Sequence, residues 1–415
     1  RAALATATDA AVDGLSGPRG PMTVMEQALL NGLEQALPEL IELRRHLHAH
    51  PELSGQEHQT AALIAGELRD LGWQVQEGVG RTGVLAELGP SSAPLVGLRV
   101  DMDALPVEER TGLAFASKQQ GVMHACGHDI HTCIGLGVAR MLAAESALQA
   151  RVRLLFQPAE ELAKGAIWMR DAGATEGLQA LFGVHVVPDL PAGTVGVRSG
   201  CLTAAAGELE ITVNGVGGHG ARPHQSVDAI WLAARVVTEL QQCIARRLNA
   251  LQPVVISFGK IEGGKAFNVI ADQVRLLGTV RCLDVEQHRQ LPQWIEQTVD
   301  EICRTGGGQA QVRYRCIAPP VWNDVALTSL LETAAVGCLG RECVLPVELP
   351  SLGAEDFAEL LRDVPGTMMR LGVAGPQGCA PLHNGAFDPD ERALGVGVRV
   401  LTATLLAWME RGGNR

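Results

Sequence analysis

The segment LVGLRVDMDALP, residues 95–106, decides the fold. A short apolar run with strand character passes directly into two carboxylates, Asp101 and Asp103. The same grammar recurs twice. ARVRLLFQ (150–157) runs into PAEE, which carries Glu160 and Glu161, and ALFGVHVV (180–187) delivers His185. Short apolar runs with β-branched residues, bounded by turn residues, read as buried strands. Helical patterns alternate with them: HQTAALIAGELRDLGW (58–73), DIHTCIGLGVARMLAAESAL (129–148) and AIWMRDAG (166–173). Alternating strands and helices indicate an α/β layer, and in such sheets ligands bind beyond the carboxyl ends of the strands. Three strands therefore bring acids and an imidazole to one rim.

Further out, residues 25–48 are apolar at helical spacing, with Pro38 predicted to break the helix or start a second one. The texture changes after Gly200. AGELEITVNGVGG (206–218) alternates as a half-exposed antiparallel strand does. A helix follows (226–246), then strands at 253–264 and 273–284, then a helix near 287–305. This β-α-β-β-α order is close to a ferredoxin-like unit. The expected fold class is thus α/β with two domains. A mixed-sheet α/β/α domain (25–199 and 313–415) carries an inserted ferredoxin-like α+β domain (200–312), and residues 1–24 are expected to be a disordered arm or leader.

Composition narrows the function. The chain has 415 residues and a formal charge of −12, without a long basic cluster, which argues against nucleic acid as a partner. No run reaches the roughly 18 apolar residues of a membrane span, so a soluble chain without a membrane partner is expected. The ten cysteines form no CxxC pair, which suggests a reducing, cytoplasmic location.

Candidate chemistry centres on MHACGHDIHT, residues 123–132. Cys126 and His128 lie just before a helix, whose N-terminus favours a thiolate. With His185, Asp103, Glu160 and Glu161, and with His383 in PLHNGAF, they exceed what one tetrahedral ion needs; two ions would absorb the surplus. The pair Glu160–Glu161 can divide its work, one residue ligating and the other serving as a general base; a charged helix start is the plainer reading of the pair taken alone. In the inserted segment, His219 follows Gly217–Gly218 and could donate to a substrate oxygen or be an incidental turn residue. Asn268 could polarise a carbonyl and Arg281 could grip a carboxylate, or both could be ordinary turn and surface residues.

RRHLHAHPELSGQE (44–57), DMDALP, MHACGHDIHT, FQPAEE, GVHVVP, GGHGARPH (217–224), GAEDF (353–357) and PLHNGAF occur together and in this order. The chain resembles, over about residues 40–400, the aminoacylase, hippurate hydrolase and carboxypeptidase family of metallopeptidases, in particular its auxin-conjugate-hydrolase-type amidohydrolase branch. The resemblance implies two divalent metal ions (zinc, manganese, cobalt or nickel) held by Cys126, His128, Glu161, His185 and His383, with Cys126 bridging. It implies Glu160 as the base that activates a metal-bound water, Asp103 as an orienting acid, Asp101 in support and His219 as an oxyanion donor, often across a dimer. Asn268 and Arg281 lie where relatives contact substrate. The inserted domain is implied to be a lid that dimerises, so a homodimer or higher homo-oligomer is expected. The implied reaction is hydrolysis of the amide bond of a small N-acyl (acetyl, benzoyl or similar) amino acid, with a metallocarboxypeptidase or dipeptidase as the alternative. One departure is Ala271, where the family pattern has Pro. The histidines of HLHAHPE are expected to be structural, and His124 and His131 to support the ligands by hydrogen bonding.

Overall fold

A computed structural model describes residues 24–145 and 148–412, so the expected N-terminal arm lies, up to residue 23, outside the described residues. The chain divides into two compact units: Arg1–Gly200 with Trp322–Glu348 and Glu359–Arg415, and Cys201–Val321 with Leu349–Ala358.

The first unit is built on an eight-stranded mixed sheet. At its centre Leu95–Asp101 runs parallel to Arg151–Gln157 on one side and to Leu178–Pro191 on the other. Every residue of Leu95–Asp101 is buried, as expected of a strand covered on both faces. The register aligns Asp101 with Gln157 and Arg99 with Gly183. Leu95–Asp101 and Arg151–Gln157 therefore end at one level, while Leu178–Pro191 continues past it and carries His185 two residues beyond Gly183. The outermost strand, Gln74–Val79, is mostly exposed; its polar sequence QVQEGV hides it from a search for apolar runs.

Helices Val24–Ala49, His128–Ala143 and Arg392–Glu410 pack against one another, and the last two also pack on the sheet. The break expected at Pro38 does not occur: the helix runs continuously from Val24 to Ala49. Proline removes one backbone donor, but Leu33, Leu40 and Leu47 are buried at seven-residue spacing on both sides of it. Continuous packing of that face outweighs the lost hydrogen bond. Helix Arg392–Glu410 is long and apolar enough, by length and composition, to cross a membrane, but 67% of it is buried in the protein. Leu394, Val398, Leu401, Leu405 and Trp408 belong to the main core.

The second unit is a four-stranded antiparallel sheet in the order Val254–Gly263, Gln273–Cys282, Ala205–Asn214, Gln309–Ala318. Helices Ala229–Arg247 and Val285–Thr305 pack on it through Val236, Leu240, Ile295 and Val299 against Leu209, Ile211 and Val213. Asp228 and Asp284 cap the two helices, accepting from the backbone N–H groups of Ile230 and Gln287. The chain order is β-α-β-β-α-β, that of a ferredoxin-like unit. Its last strand continues through residue 312 to Ala318.

Charges inside the first core are paired. Arg44 Nε lies 2.8 Å from Asp129 Oδ2, and both side chains are fully buried. His48 bridges the same carboxylate (2.8 Å) and Glu109 (3.3 Å). Burial opposes the imidazolium of His48, but Asp129 and Glu109 overcome it and raise its pKa to about 9. Two outcomes follow. Arg44→Met strips the guanidinium from a buried carboxylate and should cost about 3 kcal/mol in urea unfolding; a loss indistinguishable from zero would show that His48 alone balances Asp129. The stabilisation that comes from protonated His48 is complete below its unfolded pKa, near 6.5, and disappears as pH rises through about 9. Urea midpoints should therefore fall over that interval, and His48→Gln should flatten the fall; an equal fall in the variant would refute the assignment.

Candidate metal centre

The ends of Leu95–Asp101 and Arg151–Gln157, with His185 inside the neighbouring strand Leu178–Pro191, gather the candidate donors. Cys126 and His128 flank Gly127, the cap of helix His128–Ala143, whose φ is +79°. A Cβ at Gly127 would lie 2.6 Å from Val186 Cγ2, so glycine is required both by conformation and by space. This tight entry turns Cys126 and His128 towards the strand that carries His185. Glu160 and Glu161 follow strand Arg151–Gln157 in a turn between Ala159 (φ +49°) and Ala163 (φ +50°), both in the left-handed region. His383, on a loop, has φ +63°, and its N–H donates to the Ala125 carbonyl at 2.8 Å. Non-glycine residues in this conformation need support from their surroundings and cluster at functional sites.

Donor atoms of Cys126, His128 and His185 lie within 4.8 Å of one another. So do those of Cys126, Glu161 and His383, and those of His128, Glu160 and Glu161. Cys126 belongs to two of the three sets. Cys126 Sγ is 3.6 Å from His185 Nε2, and His383 Nε2 is 3.3 Å from Glu161 Oε1. Cys126, His128, His185 and Glu160 are buried, whereas the His383 side chain is 53% exposed.

Hydrogen bonds settle the ring tautomers. His128 Nδ1 donates to the Asp103 carbonyl oxygen (2.9 Å) and lies 3.2 Å from Asp103 Oδ1. Its Nε2 is buried without a hydrogen-bond partner of acceptable geometry and has Asp101 Oδ2 at 3.8 Å and Glu161 Oε1 at 4.0 Å. His185 Nδ1 donates to the Val186 carbonyl at 2.8 Å, which leaves the Nε2 lone pair facing Cys126. An imidazole tied at one nitrogen and bare at the other is the arrangement of a metal ligand. His131 differs. Its Nδ1 donates to Asp101 (2.6 Å) and its Nε2 accepts from the Val186 N–H (2.9 Å), so both nitrogens are engaged.

The electrostatics favour a cation. Burial, joined by the nearby Glu161 and Glu160 carboxylates, pushes the Cys126 thiol well above its usual range, with His128 opposing. Burial also disfavours a charge on His128, but Asp101, Cys126 and Asp103 prevail and raise its pKa well above the ordinary value. His185 is lowered by burial and by His131. Asp103 is lowered despite burial, chiefly by His128 and by Ser54, whose hydroxyl donates at 2.6 Å. An orphaned imidazole nitrogen, a thiol and converging carboxylates are chemically suited to zinc, manganese, cobalt or nickel.

Asp101 accepts from Arg99 Nη1 at 2.8 Å as well as from His131. It thus joins Arg99 to His131, and the donor atoms of Asp101, His128 and His131 also lie within 4.8 Å of one another. Two groups passed over in the sequence also matter. Arg99, fully buried, links Asp101 to Gln157 at the ends of two strands. Glu57, at the end of RRHLHAHPELSGQE, accepts from the Ala159 N–H at 2.9 Å. The contact of Glu57 has no local sequence signal, because its partner Ala159 lies 102 positions away.

His219, Asn268 and Arg281 belong to the second unit. His219 is exposed and pairs with Val269 in a two-residue ladder, which brings it to the same depression as Asn268. Arg281 donates from Nε to the Leu352 carbonyl (3.0 Å) and from Nη1 to Val280 (2.9 Å) and Thr279. A bidentate grip on a carboxylate through Nε and Nη1 would have to displace these bonds.

Comparison with known proteins agrees with this architecture. The chain is 53% identical over 385 residues to a Synechocystis protein named "Probable hydrolase sll0100", covering 92% of this chain and 98% of that one. It is 39% identical over 377 residues to an N-acetyl-L-cysteine deacetylase of Bacillus subtilis, covering 90% and 89%. Among solved structures it superimposes on the Bacillus subtilis YXEP protein, described as a dinuclear metal binding peptidase from the M20 family. That match has a TM-score of 0.80 and 35% identity, over 91% of this chain and 99% of that one. Residues 97–407 match the model of peptidase family M20/M25/M40, and the chain is a hydrolase belonging to that family.

Proposed function

We propose that the protein is a divalent-metal-dependent amidohydrolase that cleaves the amide bond of small N-acyl amino acids. The observation that carries this reading is the sharing of Cys126 between two donor sets, one with His128 and His185, the other with Glu161 and His383, beside the Glu160 carboxylate, which forms a further set with His128 and Glu161. Those five residues would hold two ions, with Cys126 common to both, and the ions would supply a Lewis acid for the scissile carbonyl and a water that ionises near neutral pH. Glu160 takes the proton from the attacking water and passes it to the departing amine. Asp103 holds the Nδ1 proton of His128 and so keeps Nε2 available. His219 is assigned to the oxyanion, and Asn268 and Arg281 to the rest of the substrate. The second unit is assigned as a lid and dimerisation domain. The B. subtilis deacetylase supports an N-acyl amino acid as substrate. A reducing, cytoplasmic setting is assigned from the dispersed cysteines, which include no CxxC pair.

The test compares kcat/KM for N-acetyl and N-benzoyl amino acids with that for dipeptides, after metal removal and reconstitution ion by ion. Faster turnover of dipeptides would replace this reading with a carboxypeptidase or dipeptidase. Glu160→Gln should keep its metal content by elemental analysis and lose about 10³-fold in kcat. A variant with near-normal kcat would remove Glu160 as the base.

A further inference from the structure

The segment Ser54–Glu57 is the part of the N-terminal motif that the donor cluster leaves unexplained. Glu57 is fully buried. Its Oε1 accepts from the Gly55 N–H (2.7 Å) and the Ala159 N–H (2.9 Å), and its Oε2 accepts from Thr82 Oγ1 (2.6 Å). Ala159 immediately precedes Glu160 and is held at φ +49°. On the other side of Glu160, the Glu161 N–H donates to Asp103 Oδ2 (3.1 Å), the same oxygen that receives the Ser54 hydroxyl (2.6 Å). Two buried carboxylates thus clamp the backbone on either side of Glu160, and both are tied to Ser54–Glu57. The turn has little other freedom: a Cβ at Gly165 would fall 1.5 Å from the Pro158 carbonyl oxygen.

We propose that Glu57 is a positioning residue for Glu160. It fixes the Pro158–Ala163 turn in its left-handed start and so aims the Glu160 carboxylate, without touching substrate or metal. The Gly55 N–H, the Ala159 N–H and the Thr82 hydroxyl all donate to Glu57, so the requirement is for an acceptor at Oε1. Glutamine can keep that acceptor, with its amide donating to the rotatable Thr82 hydroxyl; alanine cannot. The role of the turn is independent of the reaction, while its catalytic consequence rests on the function proposed above.

The experiment uses the full chain with Glu57→Ala, Glu57→Gln and Thr82→Val, read by hydrogen exchange, metal content and kinetics. In Glu57→Ala, amides of residues 158–163 should exchange about tenfold faster with other regions unchanged. Metal content should hold, and kcat should drop about 10²-fold with KM within about twofold. Glu57→Gln should restore both exchange and kcat, and Thr82→Val, which loses one of the three donors, should fall between. Unchanged exchange and kcat in Glu57→Ala would overturn the proposal. So would uniform loss of protection across the first unit, or failure of Gln to rescue. Should Glu57→Ala not fold, an unaltered turn and kcat in Thr82→Val would overturn it. Should the wild-type protein hydrolyse no N-acyl amino acid, the function falls, and local exchange in the variants still decides the role of Glu57.

Discussion

One buried carboxylate organises the catalytic unit. Asp103 receives the Ser54 hydroxyl and the Glu161 N–H on its carboxylate and the Nδ1 proton of His128 between its carbonyl (2.9 Å) and carboxylate (3.2 Å) oxygens, and so joins three segments spread from residue 54 to residue 161. A buried carboxylate is costly unless its lone pairs are satisfied, and here the groups that satisfy it are those that must be positioned. The desolvation cost is offset by donors from the donor cluster itself. Stability and alignment therefore have a common origin, and alignment cannot be loosened without exposing the cost of burying Asp103.

The same economy runs through the layer beneath. Arg99, Asp101, His131 and the Val186 N–H form a chain of contacts across the ends of the central strands. Arg44, His48, Asp129 and Glu109 form another under helix His128–Ala143. Each acid in these two chains of contacts faces at least one basic group. In the donor cluster the balance tips the other way, with carboxylates and a thiol gathered around an imidazole whose second nitrogen is bare. The contrast between compensated scaffold and uncompensated centre is the physical argument for a bound cation.

The parts of the fold legible in the sequence are those governed by burial. Leu95–Asp101, Arg151–Gln157 and the apolar part of Leu178–Pro191 stand out because both faces are covered. Gln74–Val79 does not, because an exposed edge strand needs no apolar pattern. Pro38 misleads because its penalty is local while the packing of Leu33, Leu40 and Leu47 is not. For the site, motif order picks out Cys126, His128, Glu161, His185 and His383, and these do lie together. What the motifs do not convey is the direction of support. Glu57 accepts from the backbone N–H of Ala159, and a backbone N–H carries no residue identity for a motif to register, while Arg99 joins side chains at the ends of two strands.

The uneven exposure of the two donor sets that share Cys126 has a kinetic meaning. Cys126, His128 and His185 are buried, so an ion held among them as proposed would leave only when packed side chains give way. The set containing His383 opens to solvent on a loop in a left-handed turn. Two ions bound as proposed, with Cys126 common to both, would then have very different residence times: a resident one, acquired once, and an exchangeable one whose identity follows the ionic composition of the surrounding medium.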